Sequence, residues 1–207
     1  FTGSWYDEAA EKTAAEKLIA SGCSLISQHA DSWGAPTACE TANVPNVSYN
    51  GSTESKCPNT YVASSRVNWE PYFKYALQKV KAGESIDSDW TGELGSNIWD
   101  SATESSDGSV ALAPLGAKAS TSDAKTKLEN VATQIKNGTL KIFDTSTFTV
   151  KGSALTTYKV DMDGDDVKEK EAIVTEGGIT YFAESEFRSA PYFDVQIDGI
   201  NLLNSKF

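Results

Sequence analysis

The chain is poor in several residues that chemistry would need. Histidine occurs once, at His29, and there is no Gly-x-Ser-x-Gly turn to present a nucleophile, so a Ser-His-Asp hydrolase has little to stand on. A hydrolase built on Asp31 and His29 is the weakest of the readings kept open, and the chain is read as a non-enzyme. The three cysteines, Cys23, Cys39 and Cys57, show no Cys-x-x-Cys spacing, which removes zinc and dithiol redox motifs. Cys23 reads as a strand residue of the core. Cys39 and Cys57 pair only in an exported protein, and the sequence leaves that open. No glycine-rich loop opens a helix: Gly177-Gly178 precedes a strand, so no phosphate cradle is expected. The run Asp161 to Asp166 has oxygens at alternate places but lacks the glycine and glutamate positions of a calcium loop, and reads as a solvated acidic turn. No cofactor or metal is implied.

Positive charge is also scarce. Lys and Arg total 18 against 29 Asp and Glu, and the net charge of -11 opposes phosphate backbones and anionic membrane surfaces, so nucleic acid is not an expected partner. No run of eighteen apolar residues occurs, and residues from Phe1 onward have neither a basic n-region nor an apolar h-region. A first residue other than Met gives the expectation of a processed or cut chain. With 39% hydrophobic residues in 207, the chain has the means to build a core.

What is present is an alternation of strands and helices. Phe1 to Trp5 reads as a strand end, Asp7 as a helix N-cap, and Ala10, Ala14, Leu18 and Ile19 as the apolar positions of an alanine-rich helix closed by Gly22. A strand through Leu25 and Ile26 follows, then a helix over about 33–41 and a strand from Val44 to Tyr49 ended by Asn50-Gly51. A further strand starts at Tyr61. Asn68 is the expected cap of a helix that buries Trp69, Phe73, Leu77 and Val80 and stops at Gly83. Residues 84 to 108 read as loop with a short strand near Ile98, Val110 to Leu115 as a strand, and Asp123 to Lys136 as a helix with Leu128, Val131, Ala132 and Ile135 on one face. Beyond it, Leu140 to Phe143, Phe148 to Val150, Tyr158 to Val160 and Ile179 to Phe182 are short extended runs, with one weak helix around Val167 to Val174. The fold class is therefore α/β, a parallel sheet flanked by helices (1–143) with a C-terminal segment of short strands (144–207).

Ligands of parallel α/β sheets collect at the carboxyl ends of the strands. Three strand ends deliver Trp5, Asp31 and Asn50 to one such rim, and Asn68 ends the next strand. A flat aromatic face with acid and amide groups suits a neutral, planar, hydrogen-bonding small molecule such as a nucleobase or nucleoside.

Several motifs, in order, resemble one family. Gly3-Ser4-Trp5-Tyr6-Asp7, the run from Gly22 through Leu25-Ile26, His29 and Asp31-Ser32 to Gly34, Val47-Ser48-Tyr49-Asn50, and Ser64 to Trp69 with Pro71-Tyr72 are similar to the basic membrane protein family of substrate-binding lipoproteins. Trp90-Thr91-Gly92, Val110 to Leu115, Ile135 to Gly138 with Ile142-Phe143, and Phe187 to Asp194 resemble its second half. The resemblance implies a type I periplasmic-binding architecture, two α/β lobes about a hinge, and an extracytoplasmic protein, membrane-anchored or periplasmic, that hands a purine nucleoside or nucleobase to an ABC permease. A sensor lobe of the same fold without a permease is the alternative. The family's cleft aromatic falls on Trp5. A ribose-contacting acid falls at or near Asn50, here an amide, and a basic cleft residue falls near Val67, where no lysine stands; both departures bear on ribose recognition. The resemblance also implies a further lobe ahead of Gly3-Ser4-Trp5, so the chain reads as lobe two plus its return segments. Without that lobe, Phe148, Tyr158, Phe182, Phe187, Tyr192 and Phe193 are expected either to fold back or to drive dimerisation.

Overall fold

The first helix starts where a carboxylate can satisfy free backbone donors. Asp7 Oδ1 accepts from Ala10 N at 2.9 Å, which fixes α1 (Glu8–Ala20) at its N-terminus, and Gly22, at φ 94°, follows the closing turn. In the computed structural model, which describes residues 3–87, 90–92, 94–119, 121–162, 165, 167–187 and 195–203, the elements that follow are β1 (Ile26–Ser27), α2 (Gly34–Ala42), β2 (Asn46–Tyr49), β3 (Tyr61–Val67), α3 (Glu70–Ala82), β4 (Val110–Leu112) and α4 (Ala124–Lys136). The chain divides into two compact units, 1–136 with 203–207, and 137–202.

In the first unit the sheet runs β1-β2-β3-β4, with β1, β2 and β3 parallel and β4 antiparallel to β3. The α/β class and the parallel sheet are as the sequence led one to expect. Ala15, Ile26, Ala35, Ala38 and Cys39 form a buried cluster, with Leu18, Ile19 and Val44 packed on it. Gly34 is what allows α2 to come so near α1. A Cβ there would lie 2.3 Å from Glu8 O and 2.8 Å from Lys12 N, distances no side chain tolerates. Glu11, buried on the same side, completes the join: its Oε1 accepts from Asp7 N at 2.9 Å, and its Oε2 accepts from Ser32 Oγ at 2.6 Å and Ser32 N at 3.3 Å.

Several expectations fail in this unit. Gly3 to Trp5 is a bend, not a strand, because Gly3 takes φ 74° and Ser4 Oγ bonds both Tyr6 N and Tyr6 O, turning the backbone locally. Cys23 is exposed rather than in the core, since it lies in the turn before β1. The apolar stripe of α3 faces outward: Trp69, Phe73, Leu77 and Val80 are 60%, 56%, 68% and 64% exposed. Tyr72 and Tyr75, a third of a turn round, pack instead on Trp90 at 5.2 and 5.9 Å between ring centroids, so α3 is held by the loop that follows it. The stripe of α4 is likewise not buried, although Trp99 Nε1 reaches that helix by donating to Glu129 at 2.9 Å. The strand expected near Ile98 is a single bridge, Trp99 to Leu112.

The second unit is built of two-stranded pieces: β5 (Thr149–Val150) with β6 (Ser153–Ala154), β7 (Lys159–Val160) with β8 (Lys170–Glu171), and β9 (Ile173–Glu176) with β10 (Ile179–Phe182), all antiparallel, before a one-turn α5 (Glu184–Phe187). The weak helix expected over Val167 to Val174 is replaced by β8 and β9, whose turn at Gly177-Gly178 (φ 59° and 84°) sets up the hairpin to β10. Leu140 to Phe143 is turn, not strand, with one bridge at Asp144 to Tyr181. Phe182 and Phe187 are buried with Leu155, Val160, Ala172 and Ile173, and Phe148 and Tyr158 pack on them, so these four aromatics fold back within their own unit. Tyr192 and Phe193 lie outside the described residues, as do Asp163, Gly164 and Asp166 of the acidic run. Among the described residues no helix is long and apolar enough to cross a membrane, and no cluster of three metal-ligating side chains occurs.

Candidate functional site

Parallel pairing of β1, β2 and β3 puts the segments that follow them on one edge of the sheet. Ser27 pairs with Val47 and Tyr49 with Ser65, so residues 28–31, 49–50 and 67–69 share that rim, and β4, running the other way, begins there at Val110 opposite Val67. The register explains a contact that the sequence reading missed. Two residues beyond the Ser27–Val47 pair stand His29 and Tyr49, and their rings stack at 5.0 Å with planes 3° apart. Equal spacing of the two residues from a paired position was the available signal; it needed the strand register to be read.

Trp5 reaches the same place without a strand. Its carbonyl accepts from Asp31 N at 2.8 Å, which fastens the segment before α1 to the loop after β1, and its side chain is 73% exposed. Asp31 is exposed beside it. Behind the loop, Gln28 Nε2 donates to Ala30 O at 3.2 Å and Ser32 O at 3.3 Å while its Oε1 accepts from Asn46 Nδ2 at 3.3 Å, so the turn carrying His29 and Asp31 is shaped from within. Trp33, the N-cap of α2, is 40% exposed with Lys56 Nζ 5.7 Å from its ring centroid.

Asn50 ends β2 in the left-handed region at φ 59°, where an asparagine is tolerated, and its Oδ1 accepts from Val67 N at 3.4 Å. The residue is exposed. Asn68 is different. It is buried, its Nδ2 donates to Ser106 O at 3.0 Å and Gly108 O at 2.8 Å, and its Oδ1 accepts from Glu70 N at 3.3 Å. It is not the helix cap, which is Trp69, and its amide is spent on the fold. The rim thus brings Trp5, Asp31 and Asn50 together with His29 and Tyr49, and uses Asn68 as structure. The cation nearest the end of β3 is Arg66, which is paired with Asp100.

Elsewhere in this unit residues 95–99 and α4 line a hollow of about 360 Å³. Its acid Glu129 accepts from Trp99, and Asn97 Nδ2 bonds Trp99 O and Ser105 O, so these polar groups are engaged by the fold. Beside it Asp107 is held at a pKa of about 2, because Ser96 Oγ and then Asn97 N donate to its carboxylate.

An exposed aromatic and polar rim at the carboxyl edge of a parallel sheet is the ligand edge of α/β binding proteins. Residues 1–95 match the model of the Bmp family, ABC transporter substrate-binding proteins that are PnrA-like, the family that the chain's motifs resemble. A purine-binding protein of Brucella abortus (strain 2308) is 28% identical over 143 residues, 69% of this chain and 37% of that protein. An ABC transporter solute-binding protein from Conexibacter woesei DSM 14684 aligns in structure with a TM-score of 0.48 at 18% identity, covering 68% of this chain and 44% of that one. The chain therefore spans less than half the length of these relatives.

Proposed function

We propose that this chain is part of the solute-binding component of an ABC importer, acting outside the cytoplasm, and that its share of the binding cleft is the rim formed by Trp5, His29, Asp31, Tyr49 and Asn50. The observation that carries the reading is the stacked His29–Tyr49 pair at the strand edge to which the exposed Trp5 is fastened through Asp31, in a chain whose first 95 residues are Bmp-like. Flat aromatic faces bind flat ligands, and Asp31 and Asn50 supply one strong acceptor and one amide donor for ring nitrogens and exocyclic groups. The ligand class is a purine nucleobase or nucleoside. With an amide at Asn50 and Arg66 tied to Asp100, the base is the group recognised and the ribose a minor one. Solute capture and delivery, not turnover, is the activity, and the residues 137–202 serve as the return segment of the larger protein.

Thermal-shift and calorimetric titration of the full-length protein with adenine, guanine, hypoxanthine, their nucleosides and a sugar panel tests this. Stabilisation by purines and not by sugars is expected, and Tyr49→Ala should weaken it by roughly tenfold, the upper end of what one aromatic pair contributes. A flat response to every purine overturns the ligand class.

A further inference from the structure

Asn46, the first residue of β2, is the meeting point of two segments that carry the chain's buried cysteines. From one side Val44 N donates to Cys39 O at 3.0 Å, drawing the end of α2 onto the start of β2. From the other, Asn46 N donates to Thr60 O at 2.8 Å, drawing in the turn that holds Cys57. A clamp lies alongside: Glu40, the neighbour of Cys39, accepts from Asn59 N at 3.1 Å and Thr60 Oγ1 at 3.0 Å. Cys39 and Cys57 are both 0% exposed, whereas Cys23 is exposed.

Between the two segments lies one asparagine side chain that both cysteines reach. Asn46 Oδ1 receives Thr53 Oγ1 at 3.1 Å and lies 3.9 Å from Cys57 Sγ, which is also 3.3 Å from Thr53 O, and the Cys39 thiol bonds to the same asparagine side chain. Both sulfurs thus meet one buried asparagine side chain, Cys39 from α2 and Cys57 from the turn before β3, in a site where all three residues are fully buried. Burial, with the second sulfur nearby, pushes Cys39 up to about 11, and burial raises Cys57 as well, so in the folded chain both are protonated and slow to exchange.

We propose that Cys39 and Cys57 form a structural disulfide that pins α2 to the turn before β3, with Cys23 left as the free thiol. The proposal takes its oxidant from the extracytoplasmic reading above. The reaction is thiol–disulfide exchange with a disulfide oxidant: one cysteine thiolate attacks it and releases one oxidant thiol, and the second thiolate displaces the other. Two protons leave the cysteines and two electrons reduce the oxidant. Exchange takes place while the 50–60 segment is still open, because the folded site shields both sulfurs.

The test is to denature and reduce the purified full-length protein, refold it in mixed reduced and oxidised glutathione, alkylate under denaturing conditions and map the peptides without reduction. A Cys39–Cys57 linked peptide with Cys23 alkylated is the expected result. Closing this short loop should raise the melting temperature by roughly 5–10 °C over the reduced protein, and the Cys39→Ala/Cys57→Ala double variant should lose that dependence on reductant. Alkylation of Cys39 and Cys57, glutathione adducts on either, or a bridge that includes Cys23 would overturn the pairing, and the peptide map on the unaltered chain decides even where the double variant does not fold. Purine titration of the same refolded sample keeps the two readings apart: reduced cysteines with intact binding sink the disulfide alone, and a linked peptide without binding sinks only the ligand.

Discussion

Helices α1 and α3 are both thirteen residues long and both end in a left-handed glycine turn, yet they are held by opposite means. α1 is alanine-rich with a weak apolar stripe, and it is joined to α2 through Gly34, Ala15 and the buried carboxylate of Glu11. α3 carries the more strongly patterned stripe and buries no residue; its packing is Tyr72 and Tyr75 on Trp90. Close backbone approach and satisfied polar groups fix a helix more tightly than an apolar stripe that nothing meets, because free energy comes from surface removed from water and not from its arrangement in the sequence.

The comparison can be broken most easily at Gly34. Gly34→Val should force α2 off α1 and cost about 2–3 kcal/mol or more, as overpacking against backbone does; a urea midpoint unchanged within error would show that the helices have room. Glu11→Ala comes next. It leaves Ser32 Oγ and Asp7 N without their acceptor, for an expected loss of roughly 1–3 kcal/mol, and Glu11→Gln should recover part of it. Full stability in Glu11→Ala would mean water replaces the carboxylate at no cost.

A smaller effect is expected at the 95–107 loop. Asp107 has a pKa depressed from 3.8 to about 2 in the folded chain, so its contribution is complete above the unfolded value and is lost as pH falls through the window between the two. Acid titration followed by the fluorescence of Trp99 should show a step in that window which Asp107→Asn lacks; the same step in the variant would assign it to another carboxylate. Least of all should happen at the stripe of α3. Leu77→Asn is expected to change stability of this chain by no more than about 0.5 kcal/mol, as exposed positions do, and a loss several times larger would mean that α3 has a covered face.

How much of this the residues disclosed follows the same line. Asp7, Gly22, Gly83 and the Asn50 turn were legible because caps and left-handed turns are decided by the residue itself. Trp5, Asp31 and Asn50 were placed on one edge correctly, although Trp5 arrives by a bend and a single backbone bond and not by a strand. The His29–Tyr49 stack depends on the register of two strands twenty residues apart, and the role of Asn68 on a loop forty residues downstream. Helix periodicity identified the stripes of α3 and α4 but carried no information on what would meet them. In the second unit the short strands are set by hairpin turns such as Gly177-Gly178, and a helix read across Val167 to Val174 gave way to the pairing of β9 with β10.

Asn68 has a consequence for how the chain can vary. Its side chain ties the end of β3 to Gly108, forty positions later, just before the chain returns to the sheet as β4. The excursion between these points, α3 included, is thus a loop whose two ends are fastened at its root. Its length adds little to the cost of closing it, since doubling a loop costs only about 0.6 kcal/mol. Residues 98–100 are tied back to β4 through Leu112, so 69–94 is the natural cassette of the molecule: a segment that can be shortened, exchanged or grown while β1, β2 and the stacked pair above them keep their places. A version with residues 69–94 replaced by a short linker should retain the far-ultraviolet signature of the sheet and the α1–α2 pair, and collapse of that signature would show that α3 supports the sheet after all.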